Sequence, residues 1–173
     1  EVVYTRRRHA LHGERLKVDI SNMVYDTTEI ITQTNKAAND FKNFEFELIR
    51  YFSIASPISE EQFGSMTEEE IIGKVYTAAF SSYNEKMAIN AEMVYPVVKD
   101  VYENPENKYE RIVVKFTDGT KELNVISDLK EAYDSKGKQM VNDFEKNISL
   151  AIIDDAWKTH LRKMDELKQS VQL

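Results

Sequence analysis

Chain-breaking residues are scarce. The 173 residues contain only 5 Gly and 3 Pro, against a combined share of about 12% in an average protein. A β-sandwich or barrel needs a turn every eight to twelve residues, usually built on such residues. The scarcity therefore argues against an all-β fold and for long uninterrupted helices. It also leaves little material for a phosphate-cradling loop. Neither GxxxxGK[ST] nor GxGxxG occurs, and Gly73-Lys74 lacks both the upstream glycine and the following Ser or Thr.

Charge narrows the classes further. With 23 Lys and Arg against 30 Asp and Glu, the net charge is −7, unlike the basic balance usual in nucleic-acid binders. No Cys is present, which removes disulfides, zinc ribbons and thiol catalysis. No apolar run approaches the 18 or so residues that span a bilayer. The sequence opens in one helix-like pattern and closes in another at Leu173, so a piece of a longer protein is expected.

Helical periodicity dominates the chain. Leu16, Ile20, Met23, Val24, Ile30 and Ile31 keep helical spacing, predicting one helix over residues 2–38, about 50 Å long if continuous. Phe41, Phe44, Leu48 and Phe52 predict a second, aromatic helix closed by Pro57. Ser59 with Gln62 and Thr67 with Glu70 are capping-box patterns that start two more helices. The second of these carries Ile72, Val75, Ala79, Tyr83, Met87 and Val94 on one side and is expected to end before Pro96. Residues 96–108 read as a polar linker. Alternation over 109–116 and 121–126 around Asp118-Gly119 predicts a tight β-hairpin whose apolar face rests on a helix. Helical pattern resumes at Asp128, with Gly137 a break. A stripe of Met140, Phe144, Ile148, Ile152, Trp157, Leu161, Met164, Leu167 and Val171 follows.

Candidate chemistry is thin. Arg6-Arg7-Arg8 with His9 and Lys17 form a basic patch, but the surrounding sequence lacks the interleaved aromatics of a stacking platform. A solvated or partner-facing helix surface is the simpler reading. His9 and His12 are spaced to share a helix face, yet His160, the other histidine, is remote in sequence and no third ligand is evident. The paired carboxylates Asp154-Asp155, Glu60-Glu61 and Glu68 to Glu70 point to different faces or mark helix starts. No spacing suggests a triad. The residues alone describe an elongated helical interaction module with a small hairpin and no catalytic, cofactor or metal site.

Specific motifs go further. Phe144-Glu145-Lys146, the run Ile152-Ile153-Asp154-Asp155-Ala156-Trp157-Lys158-Thr159-His160-Leu161 and the segment from Met164 to Leu173 resemble SecA, the ATP-driven motor of bacterial protein export. Val3-Tyr4-Thr5-Arg6-Arg7-Arg8-His9-Ala10-Leu11 and Ala91-Glu92-Met93 are similar to other stretches of that family. The resemblance implies a mainly α fold: an elongated long-helix scaffold, a helical wing subdomain and a small inserted β-hairpin. Residues 1–38 would be the scaffold helix. Residues 39–139 would be the wing, with a hairpin-bearing insert at 94–139, where the commoner pattern runs almost directly from AEM to FEK. Residues 140–173 would be the first arm of a two-helix finger.

It also implies roles. ATP and Mg would belong to motor domains outside this chain. The partners would be those motor domains, the SecYEG channel and unfolded preprotein, with no nucleic acid and a homodimer an open possibility. The location would be cytoplasmic, peripheral at the inner membrane. Trp157, His160, Leu161, Met164 and Asp165 are the residues expected to pack the finger against the scaffold helix. The alternative is a stand-alone helical adaptor or coiled-coil interaction module.

Overall fold

A computed structural model describes residues 2–171, with every side chain in that span except Arg6, Glu14 and those of 168–171. Arg6 of the basic patch and Val171 of the apolar stripe therefore fall outside the described side chains, as do Gln172 and Leu173. The chain is mainly α. It contains α1 (Val2–Leu11), α2 (Gly13–Ala38), α3 (Phe41–Phe52), α4 (Glu60–Ser65), α5 (Glu68–Glu103), β1 (Arg111–Thr117), β2 (Glu122–Asp128), α6 (Leu129–Asp134) and α7 (Lys138–Val171). It divides into two compact units, Lys17–Ala88 and Glu1–Leu16 with Ile89–Leu173.

The Lys17–Ala88 unit is built around aromatic residues. Phe44, Leu48, Phe63, Ile71 and Val75 are almost wholly buried with Ile31. Phe44 and Phe63 have ring centroids 4.9 Å apart, and Phe41 lies 5.4 Å from Phe63. Two polar devices fix how the helices meet. Buried Asn35 of α2 donates from Nδ2 to the Ile31 carbonyl and to Glu47 Oε2, while its Oδ1 accepts from Asn43 Nδ2 at 2.6 Å. The ammonium of Lys36 donates to the Phe63 and Met66 carbonyls, filling acceptors that the end of α4 leaves open. Both capping boxes form. Gln62 N donates to Ser59 Oγ and Ser59 N to Gln62 Oε1; Glu70 N donates to Thr67 Oγ1 and Thr67 N to Glu70 Oε2.

The second unit holds the hairpin. β1 and β2 pair antiparallel, with Val114 opposite Val125 and Phe116 opposite Leu123. Ile112, Val125, Val94, Val98, Leu129, Ala132 and Met140 form its buried core, so the apolar face of the hairpin does rest on helices. The outer face carries Val113 and Ile126, both exposed.

Four boundaries differ from the sequence reading. The first helix is not continuous to Ala38, because a bend at His12 separates α1 from α2. Hydrogen bonding nearly bridges it: His12 N donates to the Arg8 and His9 carbonyls, and its own carbonyl accepts from Arg15 N. α3 stops at Phe52 rather than at Pro57, closed by Ser53 in a left-handed conformation whose N–H returns to the Ile49 carbonyl. α5 does not end before Pro96 but runs to Glu103 with the proline inside it. Pro96 removes only the bond to Glu92, and both residues are exposed to solvent that can satisfy that carbonyl. Val94, Val98 and Val101 dock into the hairpin core one turn apart, and that burial outweighs the local preference. The polar linker shortens accordingly to about residues 104–110.

The turn is also looser than a two-residue Asp-Gly turn. Pairing closes at Thr117 opposite Glu122, leaving a four-residue loop in which only Gly119, at φ 90°, is left-handed. Asp118 instead organises the loop through its carboxylate, which accepts from Lys121 N at 2.7 Å and Thr120 N at 2.8 Å. These bonds, Lys121 first, hold its pKa below the ordinary 3.8. A depressed carboxylate contributes fully above its unfolded pKa, and the contribution is lost as pH falls through the lower folded value. Acidification below 3.8 should therefore lower the protection of the Thr120 and Lys121 amides, measured as exchange relative to the intrinsic rate at each pH. Asp118→Asn, which keeps an acceptor oxygen, should abolish that pH dependence while preserving the loop. Unchanged protection of both amides in the wild type would refute this account of the turn.

Candidate interaction surface on the long C-terminal helix

α7 spans 34 residues, and its surroundings change along its length. In its first three turns Met140, Val141 and Glu145 are buried, and Phe144 stacks on Phe116 with centroids 4.5 Å apart. Farther on, α7 meets α1, where Arg7 Nε donates to Asp154 Oδ1 at 3.1 Å. Both side chains are close to half exposed, so this pair contributes less than about 1 kcal/mol. The apolar stripe is open to solvent at Ile152, just before that contact, and at Leu161, Met164 and Leu167 beyond it.

The expected packing residues separate under this geometry. Trp157 is half-buried and stacks on His160, one turn along, with centroids 5.7 Å apart. His160 and Asp165 are exposed; Leu161 and Met164 keep 43% and 41% of their surface open. A cleft of about 700 Å³ opens between the hairpin tip and α7, with Phe116, Leu123, Phe144, Ile148 and Ile152 in its walls and Asp155 at its edge.

The other sequence candidates are dispersed. In the basic patch Arg7 is engaged with Asp154, while Arg8 and Lys17 are exposed. His12 is exposed and His9 half-buried, and among the described residues no three His, Asp or Glu gather as metal ligands. Of the carboxylate pairs, Asp154 faces Arg7 and Asp155 edges the cleft, while the glutamates occupy the first turns of α4 and α5. No described helix is long and apolar enough to cross a membrane.

Sequence reasoning did not single out Tyr133. The Tyr133 hydroxyl donates to Glu103 Oε1 at 2.8 Å, and that bond pushes the phenol pKa up to about 12. Tyr133 also stacks on Tyr102, with centroids 4.2 Å apart. It ties α6 to the extension of α5 beyond Pro96, and nothing local in the sequence marks it.

Long helices, one of them with a hairpin packed on its first turns and an apolar stripe open farther along, define a mainly helical module. The chain belongs to the SecA family: the family model described as the SecA Wing and Scaffold domain matches residues 1–173. Among its relatives, the protein translocase subunit SecA of Christiangramia forsetii is 64% identical over the whole chain, and that of Flavobacterium psychrophilum 62%. The subunit of Parabacteroides distasonis is 45% identical over 99% of the chain. The chain spans 16% of the length of the first two relatives and 15% of the third. No solved structure matches it.

Proposed function

We propose that this chain is the mechanical part of an ATP-driven export motor, supplying scaffold and polypeptide-contacting elements but no ATP site. The observation that carries this reading is the whole-chain match to relatives named as translocase subunits. Residues 1–38 act as the scaffold helix, 39–139 as the wing with its 94–139 insert, and 140–173 as the first arm of the finger. ATP and Mg act in motor domains elsewhere in the complete protein. This region restrains their hydrolysis and moves unfolded preprotein into the SecYEG channel at the cytoplasmic face of the membrane.

The exposed stripe on α7 supports the finger assignment. A row of Leu161, Met164 and Leu167 open to solvent is costly unless something covers it in use, and Met is an adaptable contact for varied partners. Half-buried Trp157, stacked on exposed His160, lies between that row and the part of α7 that meets α1. Asp165 takes a solvent-facing place beside the row. The division of labour is tested by assaying the purified chain with Mg-ATP. Phosphate release should equal the protein-free rate, and sustained turnover would overturn the reading.

A further inference from the structure

We propose that the hairpin is a splint that holds the root of α7, and through it sets the helicity of turns that the hairpin never touches. Two kinds of contact join them. Phe116 stacks on Phe144, and the buried Ser127 hydroxyl donates to the Asp143 carboxylate, which also accepts from Gln139 Nε2. Beneath these, Met140 is buried in the same core as Val125 and Ile112. From Arg111 to Asp128 the hairpin thus grips Met140, Asp143 and Phe144 of α7.

Helix physics turns this local grip into a remote effect. Nucleating a helix is unfavourable, whereas adding residues to an existing one is close to neutral. The exposed part of α7 has little packing of its own, since Leu161, Met164 and Leu167 are open. It therefore depends on helix already formed behind it, at the root and at the α1 contact near Asp154. The dependence is mutual, because a two-stranded hairpin is itself marginal without a helix beneath it. The splint acts whether or not the exposed turns contact polypeptide.

Hydrogen exchange by mass spectrometry on the full 173-residue chain tests this. Phe116→Ala should accelerate exchange in residues 158–167 on the order of tenfold, the change expected when local opening becomes easier by a modest fraction of global stability. Protection within Lys17–Ala88 should stay as it was. Val113→Thr, on the exposed outer face of the hairpin, should change neither. Acceleration confined to residues 138–147 would overturn the proposal, and so would no acceleration at all. If Phe116→Ala also strips protection from Lys17–Ala88, Ser127→Ala decides, because it removes one hydrogen bond and leaves the apolar packing. Its distal exchange must then rise for the splint to stand, and unchanged distal exchange sinks it.

Discussion

Phe44→Ala lowers the stability of the Lys17–Ala88 unit by about 3–5 kcal/mol, the usual cost of emptying a buried aromatic site. Phe44 has no exposed surface and lies against the rings of Phe41 and Phe63. Its removal withdraws the transfer energy of the ring and leaves a hole that flanking helices cannot close. Asn35, Asn43 and Glu47 hold α2 against α3 by hydrogen bonds that a collapse would break. For a unit of this size each kcal/mol displaces the melting temperature by roughly 4–8 °C. Thermal unfolding followed by circular dichroism should show the loss, while Phe44→Leu should lose less than about 1.5 kcal/mol. Equal losses for Leu and Ala would contradict the cavity account, because refilling most of the volume would then recover nothing.

Gly137→Ala should be the most damaging small substitution in the other unit. Gly137 sits at φ 86°, a left-handed conformation that costs an L-residue about 1–2 kcal/mol. A Cβ there would also lie 2.5 Å from the Ala91 carbonyl oxygen. Backbone cannot swing aside as a side chain can, so overpacking adds about 1–3 kcal/mol. The turn between α6 and α7 would open, since Gly137 N donates to the Ala132 carbonyl at 2.8 Å. Gly73→Ala makes the opposite case. It lies in helix α5 with nothing within 4 Å of an added Cβ, and should stabilise by about 0.4–1 kcal/mol. Unfolding of both variants compared with wild type reads the two signs directly. A neutral Gly137→Ala would mean that the approach to Ala91 is not tight.

What could be read from the sequence was local. The capping boxes at Ser59 and Thr67 need only residues three apart, and both form. The alternation of Ile112, Val114 and Phe116 and of Leu123 and Val125 gave the buried face of the hairpin, because a strand face is a period of two. What escaped depended on distant partners. Pro96 reads as a helix end until Val98 is seen buried beneath the hairpin. Asn35 and Lys36 look like ordinary surface residues until Asn43, Glu47 and the end of α4 are brought to them. The candidate surface was half legible. The stripe on α7 follows from spacing alone, but spacing does not reveal that burial fades beyond Phe144 and leaves Leu161 and Met164 open. Membership of the SecA family was legible only as a resemblance, carried by the motifs around Trp157.

The proposed finger role is tested most directly by placing a photo-crosslinking residue at Leu161 or Met164 in the complete translocase subunit that carries this segment. With an arrested preprotein in the channel, adducts to the preprotein should form from both positions. They should be absent from Glu60, in the first turn of α4. Preprotein adducts from Glu60 but none from Leu161 or Met164, in a complex that still translocates, would contradict the account.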